Sequence, residues 1–298
     1  MTTAGSERPF GLDGPLGVWR PMERWIVGYA LVTLPFLAWG ALRGNPACLR
    51  ELGVSAAAAG GCLLLAWLTR TTRRALPLVL RLFSAPIAYW FFYHQIETIW
   101  PLLWHAPLDD LLVRADQALF GCQPSYAFRA AVPSRALSEL LCFAYLAYYF
   151  FSPIVGFGAL LTRGYRTAER ILASATGTFL LCYAFFWLVP TVGPHFWFPP
   201  HLGPRLYDGW ISNHALFFFT GGGEIRGGAF PSSHIAVATL FTLWARREVP
   251  FLFPFLATVT ALMLPAVIYL HAHYVLDVPF GLAAGVLAYL LSRRWLRA

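Results

Sequence analysis

Two short stretches hold the residues whose types and spacing could do chemistry. The first is Gly227-Gly228-Ala229-Phe230-Pro231-Ser232-Ser233-His234, which follows a Gly-rich loop and opens an apolar run from Ile235 to Trp244. It reads as a loop feeding a helix, with Pro231 in the first helical turn, where its missing N–H costs nothing. The free N–H groups of that turn, with the Ser232 and Ser233 hydroxyls, would make a site for an anion such as phosphate, and His234 would look into it. The second stretch, one hydrophobic hairpin later, is Tyr269-Leu270-His271-Ala272-His273-Tyr274-Val275-Leu276-Asp277. If the chain is helical from Tyr274 onward, His273 and Asp277 stand at i and i+4 on one face and the carboxylate can hold the imidazole. Two histidines, an aspartate and an anion-binding helix start are the parts of a phosphoryl-transfer site. His271, two residues from His273, would point elsewhere in a regular segment and suits a loop or headgroup role.

The elements that must position these groups are membrane helices. Of the 298 residues, 58% are hydrophobic, 17% aromatic and only 12% charged, too apolar for an ordinary soluble domain, and several runs approach 20 residues. The expected fold is all-α, a polytopic membrane helical bundle. Eight spans are expected, roughly 24–42, 53–69, 76–100, 136–161, 170–190, 231–246, 250–270 and 274–292. The first two hold no chemical groups, and their Ala56 to Gly61 stretch suits close helix packing. Residues 1–75 therefore read as an N-terminal segment plus two accessory helices, and residues 76–298 as a six-helix catalytic core.

The net charge of +8 comes from Arg, because the sequence contains no Lys. Arg8, Arg20 and Arg24, then Arg70, Arg73 and Arg74, Arg163, Arg166 and Arg170, Arg246 and Arg247, and finally Arg293, Arg294 and Arg297 all fall on one side of the eight-span topology. By the positive-inside rule that side, with both termini, is cytoplasmic. Both polar stretches then open spans on the opposite, outer face, where they can meet. No stretch combines clustered base-reading side chains with a soluble fold, so no nucleic-acid partner is expected. The polar first 18 residues lack the pattern of a cleaved signal peptide.

In the long outer connection 101–135, Leu108 to Phe120 mixes apolar and charged residues with helical spacing, as an interfacial helix would. On the third span, His94 and Glu97 could line an acceptor pocket or pair with neighbouring helices. Cys48 and Cys122 both fall in outer loops, where a disulfide could form in an oxidising compartment. His195, His201 and His214 raise the question of zinc, but no Cys pair or His-Glu-x-x-His spacing supports a metal, and no cofactor is expected.

The two motifs together resemble the type 2 phosphatidic acid phosphatase (PAP2) superfamily of membrane phosphatases and phosphotransferases, and within it the inositol phosphorylceramide synthase branch. Ala229-Phe230-Pro231-Ser232-Ser233-His234 is similar to that branch's Phe-Pro-Ser-x-His motif, and His273-Tyr274-Val275-Leu276-Asp277 to its His-Tyr-x-x-Asp motif. Asp116-Gln117-Ala118-Leu119-Phe120-Gly121 and Pro190-Thr191-Val192-Gly193-Pro194 are similar to its outer-loop signatures. The resemblance covers roughly residues 78–292. The superfamily's usual first motif, a Lys separated by six residues from Arg-Pro, is absent. Arg163 and Arg170 reproduce its spacing on the wrong side of the membrane, and Ala266-Val267 stands where a Ser-Arg pair usually precedes the last histidine motif. Phosphate-holding cations are therefore sought elsewhere, in Arg226 first, then Arg205, with Arg114 third.

The resemblance implies metal-independent covalent catalysis on a lipid phosphate. His273, oriented by Asp277, attacks phosphorus; Ser232, Ser233 and Arg226 hold the oxygens; His234 protonates the departing oxygen and then activates the acceptor. Water as acceptor makes the chain a phosphatase. A polyol or lipid alcohol makes it a phosphotransferase, and a non-catalytic lipid transporter or scaffold on the same helices is the third reading. Nothing in the sequence bears on oligomeric state.

Overall fold

The computed structural model describes residues 10–12, 14–198, 209–211 and 225–295. These residues form helices and loops without a strand, with one isolated bridge between Thr191 and Gly228. In chain order the helices are α1 (Pro21–Leu42), α2 (Pro46–Thr69), α3 (Ala75–Leu103), α4 (Asp109–Phe120), α5 (Pro124–Ala131), α6 (Arg135–Ala147) and α7 (Phe151–Arg163). There follow α8 (Tyr165–Leu188), the single turn α9 (Pro194–Trp197), α10 (Ser233–Glu248), α11 (Phe253–Tyr269) and α12 (Asp277–Trp295).

Six stretches are long and apolar enough to cross a membrane: α1, α2, α3, the α6–α7 rod, α8, and α11 with the turn before it. The chain is thus a polytopic membrane helical bundle. The rod is not one helix, since a 3-10 turn at Tyr148–Phe150 divides it. The other two expected spans are the helices α10 and α12, of 16 and 19 residues. At 1.5 Å per residue α10 is roughly 24 Å long, shorter than a hydrocarbon core of about 30 Å.

Burial explains why α10 needs no lipid-facing stripe. Every residue from Ile235 to Phe241 is buried, beneath α7, α8, α11 and α12, as expected of a helix that is apolar all round. Its approach to α12 depends on Gly281 and Gly285. A Cβ there would stand 2.6 Å from the Ser232 carbonyl oxygen and 2.3 Å from that of Ala236. Small residues of this kind allow backbones to touch. In the Ala56 to Gly61 stretch of α2, by contrast, Ala58 and Ala59 pack against the core while Gly60 and Gly61 are exposed with open space around them.

Long-range hydrogen bonds mark the two ends of the bundle. At one end Leu16 N–H donates to the Arg70 carbonyl and Tyr165 N–H to that of Phe10. The Arg163 side chain reaches the Glu248 carbonyl there. Arg81 of α3, fully buried, donates to Glu23 of α1 at 2.9 Å and to the Gly17 and Val18 carbonyls. Arg20 pairs with Glu169 of α8 beside it. Most of the sequence's Arg clusters lie at this end. The serine, histidine and aspartate motifs lie at the other.

Candidate active site

Helix α10 starts at Ser233, not at Pro231. Ser232 is its N-cap, with extended backbone and Oγ accepting the Ile235 N–H at 3.4 Å. A capping residue must leave helical dihedrals for its side chain to reach back to the first turn, and this places Pro231 outside the helix. The Ser232 N–H donates to the Asp277 carbonyl, binding the two motifs together.

The second motif begins where α11 stops. His271 adopts φ 61°, and the Ala272 and His273 N–H groups both return to the Val267 carbonyl at 3.0 Å. The next helix starts at Asp277 and not at Tyr274, because the Asp277 carboxylate takes the Tyr274 N–H at 2.9 Å and folds residues 274–276 into a turn. The i, i+4 contact forms nonetheless. His273 Nδ1 lies 3.0 Å from Asp277 Oδ2, and since the carboxylate accepts, Nδ1 carries the proton. The free lone pair then sits on Nε2, which lies 3.1 Å from Ser232 Oγ. Ser232, His273 and Asp277 are all buried.

His234, on the first turn of α10, stands with its ring 5.7 Å from that of His273, edge to face. Tyr145 and Tyr148 lie against it at 4.7 and 4.9 Å, and the Tyr149 hydroxyl is 3.4 Å from its Nε2. Among the described residues its buried Nδ1 has no hydrogen-bond partner. A cavity of about 470 Å³ between α3, α7, α8 and α10 ends at Ser233 and His234. Aromatic side chains dominate its lining, and it extends to Ile87, Trp90 and Phe91 on the exposed side of α3.

Helix α4 and the loop after α8 close the site from the other side. Leu108 to Phe120 does form a helix, as its spacing predicts, but Asp109 and Asp116 do not face water. Both are buried, while Leu111 and Leu119 remain exposed. Asp109 accepts the Val192 and Gly193 N–H groups at 2.8 and 2.9 Å and the Tyr274 hydroxyl at 2.8 Å. Asp116 accepts the Val275 N–H at 3.1 Å. Burial pushes both carboxyls above the usual carboxylate range, against the donors that hold them. Gly193, at φ +84°, lies so close to the Ala272 carbonyl that a Cβ would meet its oxygen at 2.9 Å.

A protein-family model described as PAP2 superfamily matches residues 110–291, well over half of the chain. The chain belongs to the PAP2 superfamily. No curated protein and no solved structure matches it. The match begins within α4 and leaves out α3, where the resemblance read from the sequence begins near residue 78.

The cation question in this PAP2 protein is partly answered by placement. Arg163 and Arg170 belong to the bundle end opposite the histidines. Arg226 lies in the loop leading to Ser232; its N–H donates to Glu97 at 2.6 Å, its carbonyl accepts from the Trp100 indole, and its exposed guanidinium lies over Phe196 at 5.5 Å. Glu97 therefore fixes the Arg226 backbone. His94 packs edge-on against Trp90 and Tyr93 and is not part of the cavity wall. Arg114 is exposed on α4. Arg205, His201 and His214 lie outside the described residues.

One cation was missed in sequence. Arg129 of α5 is buried, donates to Ser138 at 2.6 Å and stacks on Tyr269, two residues before His271. His271 is no headgroup contact: it is 2% exposed and stacked on Tyr126 at 4.3 Å. Burial first, and then the charges of Arg129 and His195, lower its pKa to about 4. Cys48 and Cys122 are both free thiols, and Cys48 is packed beneath Gly40, where α1 meets α2.

Proposed function

We propose that this chain cleaves a lipid phosphoester through a phosphohistidine intermediate at the outer face of the membrane, without a metal. The observation that carries the reading is the alignment of His273: Nδ1 is held by Asp277, and Nε2 is presented beside the N-cap of α10 with His234 one ring-width away. Nε2 attacks phosphorus, forming the N–P bond as the P–O bond to the leaving alcohol breaks, and His234 gives that oxygen its proton. The oxygens left on phosphorus rest against the N–H groups of Ser233 and His234 in the first turn of α10 and the hydroxyls of Ser232 and Ser233, with Arg226 or Arg205 adding charge from the loop. His234 then takes a proton from the acceptor, whose oxygen displaces Nε2. Concentration of Arg at the opposite end supports cytoplasmic termini and an outward-facing site.

The cavity favours a lipid as the alcohol on the His234 side, since its aromatic wall can hold an alkyl chain extending from the bilayer. This also supports a second reading, transfer to a lipid or polyol alcohol in the manner of the inositol phosphorylceramide synthase branch. The catalytic part is assigned to residues 76–298, with α1 and α2 as additions to it.

Release of inorganic phosphate from a panel of lipid phosphates, in detergent with chelator present, tests the proposal against His273→Ala. Wild type should release phosphate and the variant should be slower by at least about a thousandfold, the scale for loss of a nucleophile. Equal release from both would exclude His273. If neither releases phosphate but radiolabelled headgroup moves onto an added alcohol, the transfer reading holds.

A further inference from the structure

The mechanism uses no residue of α4, yet α4 sends two carboxylates into the site's framework. Asp109 and Asp116 are seven residues apart, two turns, so they leave the same face of the helix about 10 Å apart along its axis. Asp109 grips three donors from two different segments: the Val192 and Gly193 N–H groups of the loop after α8, and the Tyr274 hydroxyl. Asp116 takes the Val275 N–H. Tyr274 and Val275 are the two residues that directly follow His273. They make up most of the turn that carries the imidazole to its Asp277 partner.

From this we infer that α4 is the positioning element of the nucleophile, and that Asp109 and Asp116 are positioning residues for phosphoryl transfer. Neither touches the reacting atoms. They act by pinning the His273–Asp277 turn at two points, one through a side-chain hydroxyl and one through the backbone, against a loop that also bears on the motif. Thr191 in that loop accepts the Ala229 N–H on its carbonyl and the Phe230 N–H on its hydroxyl. His195 N–H donates to the His271 carbonyl. One acidic helix face thereby sets both the approach to Ser232 and the placement of His273 Nε2. Unlike Glu23 and Glu169, which face guanidinium groups, Asp109 and Asp116 are desolvated against uncharged N–H and O–H donors. Their placement on the donors flanking the nucleophile makes sense only if the geometry of that turn matters.

The inference rests on the phosphohistidine reading, and its test separates the two. Full-length protein in detergent is assayed with the lipid phosphate that wild type hydrolyses fastest, and the unfolding midpoint is recorded for each variant. Asp116→Asn should lower kcat by about tenfold to a hundredfold with KM changed by less than about twofold, the scale on which small misplacements cost rate. Tyr274→Phe, which deletes only the hydroxyl bonded to Asp109, should lower kcat by about threefold to tenfold. Asp109→Asn combined with Tyr274→Phe should be less damaging than the product of the single effects, because both changes break the same link. Inhibition by orthovanadate, a mimic of five-coordinate phosphorus, should weaken in step with kcat. Wild-type kcat in folded Asp116→Asn or Tyr274→Phe, or a rise in KM alone, overturns the inference. So does full multiplicativity of the double variant. Tyr274→Phe is mild enough to decide the matter should Asp116→Asn fold poorly, and a wild type that neither releases phosphate nor transfers it to an added alcohol instead defeats the functional reading.

Discussion

The two ends of this bundle bury ionisable groups in opposite ways. At the arginine end, charge meets charge: Arg81 on Glu23, Arg20 on Glu169, with backbone carbonyls taking the remaining guanidinium donors. At the histidine end the buried carboxylates are held by N–H and O–H groups and one imidazole, and polar capacity is left over. Among the described residues, His234 Nδ1, His271 Nε2, Asp116 Oδ1 and Asp277 Oδ1 are buried without a hydrogen-bond partner, as is the Tyr165 hydroxyl beside Glu169 at the arginine end. Orphaned buried polar atoms are rare in folded proteins and destabilising. Closed networks of the first kind hold α1 against α3 and α8. At the histidine end the buried carboxylates instead hold the turn after His273 and the loop after α8.

If that contrast is right, the largest effect on stability should come from the arginine end and leave chemistry alone. Arg81→Met strands Glu23 in a buried position, and breaking a buried pair from one side typically costs about 3–5 kcal/mol. The unfolding midpoint should fall accordingly, while phosphate release per folded molecule stays within about twofold of wild type. Replacing both partners, as in Arg81→Met with Glu23→Leu, should recover most of the loss, because apolar packing replaces a pair that was costly to desolvate. Loss of turnover in folded Arg81→Met would erase the division between the two ends.

A smaller effect, at the histidine end, depends on pH. Burial and two neighbouring positive charges lower the pKa of His271 from 6.5 to about 4, so the folded chain resists a proton that the unfolded chain accepts. The contribution is complete above pH 6.5 and is lost as pH falls from there towards 4, with a ceiling of about 3 kcal/mol. His195, also lowered by burial, adds in the same direction. Asp109 and Asp116, raised by burial, act with the opposite sign. The informative quantity is therefore the difference between wild type and His271→Asn, a residue that tolerates the left-handed backbone at this position. Unfolding midpoints of the two should converge between pH 7.5 and 5. Parallel curves would mean that His271 takes up its proton in the fold as it does in the unfolded chain, and divergence towards low pH that it is charged in the fold.

What could be read from the sequence follows from how local each feature is. Helices declare themselves through apolar runs, so all eight expected spans are helical, and the His273–Asp277 contact follows from a spacing of four. Helix starts are less legible, because they are fixed by side chains that compete for backbone N–H groups. Ser232 and Asp277 do this, displacing the starts expected at Pro231 and Tyr274. Pairings across long separations are the least visible. Asp109 looks like the water-facing edge of an interfacial helix until Val192, Gly193 and Tyr274 are seen around it. The Gly281-Leu282-Ala283-Ala284-Gly285 pattern that seats α12 on α10 carries a recognisable signal, small residues four apart, which the more conspicuous Ala56 to Gly61 stretch overshadows.

Ser232 belongs to both kinds of region at once, and it sharpens the contrast most finely. Its hydroxyl caps α10 by accepting the Ile235 N–H and also lies 3.1 Å from His273 Nε2. Ser232→Ala should cost about 1 kcal/mol of stability, the usual penalty for a lost cap. If the hydroxyl only capped, turnover per folded molecule would hold. As a group that receives phosphate oxygens its loss should lower kcat by about tenfold, the smaller end of the range for one stabilising donor. Ser232→Thr keeps both the cap and the hydroxyl, so it should restore stability and rate together provided its methyl group is accommodated beside Gly281, where a Cβ on the glycine would already stand 3.3 Å from that of Ser232. Recovery of stability without rate would place the serine among the structural groups and move phosphate recognition to Ser233 and the backbone of the first turn.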